Sequence, residues 1–123
     1  MWYGKSTSRS KFGAIKTVID GITFSSRAEA RRYGELKLLL RAKQISDLKL
    51  QPRFLLQPSF KYGGKTERAI EYVADFQYTA FNKDKKPYVV VLDVKGFKTE
   101  AYKLKRKMFL RMYGSQYHFV ESK

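Results

Sequence analysis

Two aspartates and a lysine stand where two neighbouring strands are predicted. Asp75 and Asp93 each lie in a segment rich in β-branched and aromatic residues, and a polar, turn-like run separates the two segments. An antiparallel hairpin centred on Asp84 places the two aspartates opposite each other, because they are equally far from that residue. Lys95 follows shortly after Asp93 and projects from the same face. Two carboxylates and an ammonium at the end of an apolar strand predict a divalent-metal site.

This interpretation depends on the register of the hairpin. A shift of one residue would place Asp75 and Asp93 on opposite faces of the sheet, whereas a shift of two would leave them diagonal neighbours. The alternative is purely structural: Asp75 and Lys95 form an ion pair, and Asp93 is simply exposed to solvent.

The composition points to a polyanionic partner. The chain has 123 residues, enough for one domain with a hydrophobic core, and 43% of them are hydrophobic. Lysine and arginine number 26 against 11 acidic residues, which gives a formal net charge of +15 and a pI near 10.1. A surplus of this size on a small chain is typical of nucleic-acid binding. The sequence has no long apolar run and no strongly amphipathic anchor, so we expect no membrane partner.

The absence of cysteine narrows the possible chemistry. It excludes disulfides, thiolate zinc sites and cysteine nucleophiles together. His118 is the single histidine, which also disfavours zinc sites built from histidine and serine–histidine relays. Any enzymatic chemistry must therefore come from carboxylates, lysine, tyrosine and a hard cation. The N-terminal residues contain no apolar signal segment, and we expect a cytoplasmic protein.

The first part of the chain is predicted to form a basic arm, a hairpin and a helix. Residues 1–16 carry glycine, serine and basic residues without apolar periodicity, which predicts a flexible arm. Thr17–Phe24 predicts a tight hairpin, because Asp-Gly between apolar flanks is a strong turn signal. A helix capped by Ser26 then runs to about Ala42. Its predicted apolar face consists of Tyr33, Leu36, Leu39 and Leu40.

Glu29 has two possible roles. Ser26 followed by Glu29 fits a capping box, in which the glutamate does no more than satisfy the helix N-terminus. The alternative is a metal ligand, since a lone carboxylate in a basic, phosphate-facing turn would complete a cation site. The basic residues of this turn are candidate DNA contacts: Arg27, Arg31 and Arg32.

The middle of the chain is predicted to consist of strands. Asp47–Leu56 alternates well enough for one strand, in which Pro52 requires an edge position or a bulge. Gln51 on that strand is a polar residue that could face the site. Arg68–Thr79 and Pro87–Phe97 are the central strands that carry the two aspartates.

A second helix follows the carboxylate strands. Thr99 is predicted to cap a helix over Glu100–Tyr113 that ends at Gly114, and Gln116–Glu121 forms a final strand. The predicted buried stripe of the helix consists of Ala101, Leu104, Met108 and Met112. Its remaining surface is basic, so it could hold the phosphates beside a scissile bond. The candidate DNA contacts are Lys103, Lys105, Arg106 and Lys107.

The order of these features resembles the PD-(D/E)XK nuclease superfamily, in which a helix with an acid precedes a strand with aspartate, then Asp-x-Lys, then a basic helix. A small, basic, phage-encoded branch of endonucleases and Holliday-junction resolvases is the most similar part of it. The blocks that carry the resemblance are residues 24–33, 50–52, 72–76 and 93–96. The resemblance implies an α+β fold with a restriction-endonuclease-like core: a central mixed sheet flanked by helices, in a single domain over residues 17–123.

The resemblance also implies a role for each site residue. Asp75 matches the first acid of the motif, Asp93 the second and Lys95 its lysine, while Glu29 matches the acid that many members carry on the first helix. The implied metal ligands are Asp75, Asp93, Glu29 and the carbonyl of Val94. With Mg²⁺, or Mn²⁺ in its place, this set implies a metal-dependent DNA endonuclease.

Two positions depart from the family pattern. Ala74 stands where the superfamily has its proline, which many active members lack. Leu92 stands where relatives in the branch often carry another acid, so the number of metal ions stays open.

The implied substrate is branched DNA in phage recombination or processing, in the cytoplasm of a bacterial host. A Holliday junction needs two symmetric cuts, which would favour a homodimer; a flap, a nicked duplex and a single strand are the alternatives. One rival interpretation is a non-catalytic, basic nucleic-acid-binding protein that retains the nuclease fold. A ribosomal-type RNA-binding protein is another, but it has no use for a carboxylate cluster.

Overall fold

The chain alternates short strands with two helices. The computed structural model describes residues 16–123, so nearly all of the predicted N-terminal arm at residues 1–16 lies outside the described residues. The elements are β1 (Thr17–Ile19), β2 (Ile22–Phe24), α1 (Arg27–Arg41), β3 (Ser46–Leu50), β4 (Arg53–Gln57), β5 (Phe60–Tyr62), β6 (Lys65–Glu67), β7 (Ile70–Val73), β8 (Phe76–Phe81), β9 (Pro87–Val94), α2 (Glu100–Tyr113) and β10 (His118–Ser122). None of the helices in this part of the chain is long and apolar enough to cross a membrane.

A four-stranded mixed sheet forms the centre of the fold. Its strand order is β10-β9-β8-β3, with β10 parallel to β9 and the other neighbours antiparallel. Helix α1 packs against β1, β2, β3 and β9, whereas α2 packs against the antiparallel pair of β4 and β7. The predicted α+β fold with a central mixed sheet flanked by helices is confirmed.

Strand β9 separates two hydrophobic cores. Val90, Leu92 and Val94 pack in the first core, beneath α1, while Val91 packs with Phe109 of α2 in the second. Successive side chains of a strand point to opposite faces, so a strand buried on both faces reads as a continuous apolar run. A polar side chain in the buried part of this strand, residues 90–94, therefore lies in one of the two cores.

The first hairpin and α1 follow their predictions closely. Asp20 and Gly21 have φ values of 54° and 74°, the positive values that a type I′ turn requires. Ser26 caps α1, and the hydroxyl of Tyr33 donates a hydrogen bond of 2.9 Å to Asp20, which ties the helix to the hairpin. The prediction for Leu39 is wrong: it is 42% exposed, because the buried stripe of α1 turns away from it.

The two long strands predicted over Asp47–Leu56 and Arg68–Thr79 are each broken in two. The first divides into β3 and β4, the second into β7 and β8. The first halves pair with the second halves, β3 with β8 and β4 with β7, in a single antiparallel arrangement. The predictions of unbroken strands are therefore wrong, because one bend crosses both strands at the same place.

The bend is centred on Gln51 and Asp75. Gln51 adopts a left-handed conformation with φ of 51°, and Pro52 after it has no N–H to donate to a ladder. The pairing nevertheless continues, since Gln51 N donates to Asp75 O at 2.9 Å and Ala74 N donates to Pro52 O at 3.1 Å. Ala74 packs in the second core and Phe76 in the first, although alternate residues of a regular strand share a face. The backbone therefore turns over at Asp75.

Helix α2 has the predicted bounds but buries a different face. Thr99 caps it by accepting a hydrogen bond from Tyr102 N at 3.0 Å. The predicted buried stripe is wrong for three of its four residues: Leu104 and Met112 are 59% and 43% exposed and Ala101 is exposed, whereas Met108 packs against the second core. The buried side is aromatic, with Phe109 fully buried and Tyr102 and Tyr113 packed beside it.

Candidate active site

The hairpin of β8 and β9 has the predicted register. Its pairs are centred on Asp84 and end at Phe76 and Leu92. The next residues beyond that pair are Asp75 and Asp93. The two aspartates are therefore counterparts across the hairpin, but Asp75 lies in the bend just after the regular ladder ends.

Asp75 is influenced by two other carboxyl groups, those of Glu29 and Asp93. Its Oδ2 accepts a hydrogen bond of 2.7 Å from Val94 N. Burial, followed by hydrogen bonding and charge from Glu29 and Asp93, raises the pKa of Asp75 from 3.8 to about 9. In the absence of a cation, this carboxyl group therefore holds a proton at neutral pH.

Asp93 is completely buried in the second core. The hydroxyl of Tyr72 donates a hydrogen bond to its Oδ2. Burial and the neighbouring Asp93 raise the pKa of Tyr72, so the phenol stays a hydrogen-bond donor. Asp93 Oδ1 lies 3.4 Å from Lys95 Nζ but accepts no hydrogen bond from the residues described in the structure. A buried carboxylate oxygen in this state is costly unless a positive charge compensates it.

Lys95 connects the buried carboxylate to solvent. Its side chain is 29% exposed, and Nζ lies 4.9 Å from the centre of the Tyr102 ring, within the range of a cation–π contact. Lys95 also lines an open cleft of about 260 Å³ together with Gly96 and Lys98. The ammonium can therefore reach a ligand in the cleft while it remains beside Asp93.

Glu29 caps α1 and also faces Asp75. Ser26 accepts a hydrogen bond from Glu29 N at 3.1 Å, as the capping box predicts. The carboxylate bonds instead to Ser25, whose backbone N–H lies 2.9 Å from Glu29 Oε1. Glu29, Gln51 and Asp75 line a common cleft of about 240 Å³. Both possible roles of Glu29 thus stay open, and Gln51 lines this cleft.

The carboxylates do not form a ready metal cluster in their present arrangement. Within residues 16–123, no group of three or more histidine, cysteine, aspartate or glutamate side chains is placed to hold a metal ion. Ser25 holds Glu29 on the α1 side of the sheet and Tyr72 holds Asp93 on the α2 side. The donor atoms nevertheless fit a hard divalent cation, because all are carboxyl oxygens and the buried Asp93 Oδ1 has no hydrogen bond in this region.

The sequence matches the model of one protein family. The family described as "Protein of unknown function (DUF1064)" matches residues 9–122. The chain belongs to this family. Searches of the curated proteins and of the solved structures each found no match. The description of the DUF1064 family states no activity, so the chemistry of the site has to be argued from its residues.

Three residues at the site of this DUF1064 protein were not predicted: Tyr72, Tyr102 and Glu121. Glu121 pairs with Asp93 in the parallel ladder of β9 and β10, and its carboxylate accepts a hydrogen bond from the Tyr102 hydroxyl. Arg106 Nε lies 3.2 Å and Lys98 Nζ 3.6 Å from the same carboxylate. Although burial opposes it, the Tyr102 hydrogen bond and these cations hold the pKa of Glu121 below its usual value.

The predicted DNA contacts lie on both helices and differ in how accessible their side chains are to a ligand. On α1, Arg27 and Arg31 are exposed, and Arg32 pairs with Glu35 at 3.5 Å. On α2, Lys103 and Lys107 are exposed and Lys105 is half-buried. Arg106 is turned inward, towards Glu121 and the ring of Phe119. Binding of DNA by these residues stays a prediction, and Arg106 is the least available of them.

We expect Tyr72→Phe to destabilise the protein by about 1–3 kcal/mol, because it leaves the buried Asp93 carboxylate without its hydrogen bond. Urea unfolding followed by circular dichroism measures the change. Tyr62→Phe is the matched control, since Tyr62 is 77% exposed and its hydroxyl should contribute less than about 0.5 kcal/mol. Equal stability of the two variants would show that the Tyr72 hydroxyl does not support Asp93.

Proposed function

We propose that the protein is a metal-dependent DNA endonuclease that hydrolyses phosphodiester bonds. The observation that carries the proposal is that Glu29 and Asp93 both raise the pKa of the buried Asp75 at the bend of the sheet, with Lys95 beside Asp93. A fold with few polar core residues does not gain stability from placing Glu29 and Asp93 on either side of a third buried carboxyl group. The free-energy cost of burying these carboxyl groups is offset if the site binds a cation.

The residues that would hold the metal are Asp75, Asp93, Glu29 and the carbonyl of Val94. When bound, Mg²⁺, or Mn²⁺ in its place, lowers the pKa of a coordinated water and neutralises charge on the phosphoryl group. The all-oxygen donor set suits these hard ions. Leu92 is buried in the first core and offers no further ligand, so a single well-held metal is the simpler arrangement.

The side chains around the carboxylates have separate tasks in this proposal. Tyr72 fixes the orientation of Asp93 through its hydrogen bond. Lys95, held between Asp93 and the Tyr102 ring, points its ammonium at the solvent cleft. From its place beside Asp93, the ammonium donates hydrogen bonds to the attacking water and to phosphoryl oxygens as their negative charge increases. Glu29 contributes its carboxylate to the metal site from the α1 side of the sheet.

The charge of the chain supports DNA as the substrate. A net charge of +15 favours binding through phosphate contacts, with an affinity that falls steeply as salt increases. The exposed basic residues of the two helices would hold the backbone on either side of the carboxylates. Such contacts position a duplex without reading its bases.

The finer identity rests on resemblance. Similarity to the phage-encoded branch of the PD-(D/E)XK nucleases supports a structure-selective, Holliday-junction resolvase-like enzyme of phage DNA recombination, acting in the cytoplasm of a bacterial host. Symmetric cuts in a junction would favour a homodimer. Ala74, at the position of the superfamily's proline, is buried at the bend, and its N–H donates to Pro52 O, a hydrogen bond that proline could not make.

A second candidate is a non-catalytic, basic nucleic-acid-binding protein that retains this fold. The observation in its favour is that Glu29 and Asp93 are held on opposite sides of the sheet by Ser25 and Tyr72. It predicts DNA binding that is independent of metal and insensitive to changes at Asp93.

Incubation of the purified chain with a labelled four-way junction and a linear duplex, with Mg²⁺ or with EDTA, tests the proposal. We expect Mg²⁺-dependent hydrolysis, with paired cuts in the junction if the enzyme is a resolvase. Equal cutting of both DNAs would support the nuclease proposal but reject a preference for junctions. Tight binding without any cutting, with Mn²⁺ as well, would reject the endonuclease in favour of the binding protein.

A further inference from the structure

A two-stranded ribbon, residues 60–67, stands apart from both hydrophobic cores. Strands β5 and β6 pair with each other, and Gly63 and Gly64 turn the chain with φ values of 59° and 81°. Every residue from 58 to 70 is exposed. A two-stranded hairpin is at best marginally stable by itself. Because the ribbon buries nothing against the cores, its sequence is free to serve a partner outside the chain.

The side chains of the ribbon are aromatic and basic. Phe60 and Tyr62 are 47% and 77% exposed and lie on one face, with Glu67 directly opposite Phe60 and Lys65 directly opposite Tyr62. Lys61 lies on the other face of the same strand. Neither aromatic ring contacts another ring among the residues that the structure describes. The face with the two rings therefore carries one ammonium group and one carboxylate, and the second ammonium group lies on the opposite face.

This combination has a specific chemical partner. Aromatic rings stack on the faces of unpaired nucleobases, and nearby cations hold the phosphates that link those bases. A regular duplex offers its phosphates but not its base faces, whereas a gap or a branch point offers both. An acidic patch on a protein would satisfy the lysines but would leave the two rings without a partner.

We propose that residues 60–67 form a stacking ribbon that recognises unpaired bases at a gap or branch in DNA, with Phe60 and Tyr62 as the stacking residues. The inference deepens the proposed function and rests on its DNA binding, though not on cleavage. The ribbon would give the nuclease a preference for DNA structure that the phosphate contacts of the helices cannot provide.

The distance between the ribbon and the carboxylates limits how far the recognised base can lie from the cut. From Asp75 to the turn at Gly64 the chain passes along β7 and β6, and an extended strand rises about 3.3 Å per residue, so the tip lies within about 36 Å of the carboxylates. Duplex DNA rises about 3.4 Å per base pair. The recognised unpaired base should therefore lie within about ten base pairs of the cut.

Binding without cleavage tests the ribbon. The full chain and its Phe60→Ala/Tyr62→Ala variant are titrated, in EDTA, with a linear duplex and with the same duplex carrying a short single-stranded gap that contains 2-aminopurine. We expect the Kd for gapped DNA to rise at least about fivefold on loss of the two rings, and the Kd for duplex to change less than about twofold. The quenching of 2-aminopurine by stacking should disappear in the variant.

Phe81→Ala is the matched control, because Phe81 is another exposed aromatic residue, 45% exposed, on a different hairpin. It should leave both affinities unchanged. The proposal is overturned if the double variant weakens duplex and gapped binding equally, or if it weakens neither more than Phe81→Ala does. Binding in EDTA is measured independently of metal-dependent cutting. If the wild type never cuts DNA but the double variant loses the preference for gapped DNA, the nuclease proposal is rejected and the ribbon proposal is retained.

Circular dichroism and the urea midpoint verify folding of the double variant. Both should match those of the wild type, since Phe60 and Tyr62 pack in neither core. Lys61→Ala provides a second contrast: it should weaken duplex and gapped DNA alike and lower the salt dependence of both. A selective loss of gapped binding in Lys61→Ala would contradict stacking as the source of the preference.

Discussion

Replacing Asp93 by Asn is expected to abolish Mg²⁺-dependent cleavage while the protein stays folded and still binds DNA. Asparagine has the same shape, and its side chain can still share a hydrogen bond with the Tyr72 hydroxyl. It lacks the negative charge that faces Lys95 and that a divalent cation would require. The change therefore separates the electrostatic role of this side chain from its packing.

The expected loss is large because a metal contributes several kcal/mol of charge stabilisation in the transition state. Each ~1.4 kcal/mol corresponds to a factor of ten in rate, so a lost ligand should reduce cleavage at least about 100- to 1,000-fold. Single-turnover cleavage of labelled DNA measures the rate. Calorimetric titration with Mn²⁺ measures the metal affinity separately, and it should fall in the same variant.

Asp84→Asn is the control for this substitution. Asp84 lies in the turn of the same hairpin, is exposed, and uses its backbone N–H, not its carboxylate, to bond to Asn82. It should retain wild-type cleavage and metal affinity. If Asp93→Asn cuts as fast as Asp84→Asn, Asp93 is not a catalytic ligand, and the non-catalytic binding protein becomes the better interpretation.

The hairpin that carries the two aspartates could be predicted because its signals are local. A polar turn between two β-rich segments sets the register, and the pairs centred on Asp84 agree with it. The same holds for the first hairpin, in which Asp20 and Gly21 specify the turn, and for the Ser26 cap of α1. Each of these features depends on residues close together in the chain.

The bend at Asp75 could not be predicted, because its cause lies on another strand. Gln51 and Pro52 distort β3 and β4, and pairing passes the distortion to the residue opposite. The bend is also the reason why Tyr72 was not predicted as a site residue. On an unbroken strand, Tyr72 and Asp75 would face opposite sides, whereas in the structure both contact Asp93.

The remaining errors come from long-range packing. The aliphatic stripe and the aromatic stripe of α2 have similar helical spacing, and only the rings gathered around Phe54 decide which of them is buried. Glu121 joins the site through a parallel ladder with β9, and parallel pairing leaves no turn signal in the sequence. The candidate ligands can thus be chosen from sequence, whereas the residues that support them cannot.

Replacing Asp75 by Asn is expected to abolish cleavage and, at the same time, to stabilise the metal-free protein at pH 8. Burial and the neighbouring Glu29 and Asp93 raise the pKa of Asp75 to about 9 in the folded state, from a value of 3.8 without these interactions. Because the folded-state pKa is the higher one, the folded chain binds this proton more tightly than the unfolded chain does. The stabilisation is complete below about pH 3.8 and is lost as the pH rises towards 9.

Asparagine removes this loss because it is never charged, and its side-chain oxygen can still accept the hydrogen bond from Val94 N. In EDTA, the free energy of unfolding of the variant relative to wild type should increase between pH 5 and 8, by no more than ~1.4 kcal/mol per pH unit. Urea unfolding at a series of pH values measures this difference. The total gain at pH 8 measures how far the folded state raises the pKa of Asp75, because each pKa unit corresponds to ~1.4 kcal/mol.

Addition of Mg²⁺ should reverse the order of stability. Wild type gains stability as the ion replaces the proton on Asp75, and calorimetry in buffers of different ionisation enthalpy should detect that proton as it is released. The asparagine variant should gain little and release none. Stability that follows pH identically in both proteins would mean that Asp75 is already ionised in the folded chain. Glu29 and Asp93 would then not raise the pKa of Asp75, and the exchange of its proton for the ion would be rejected.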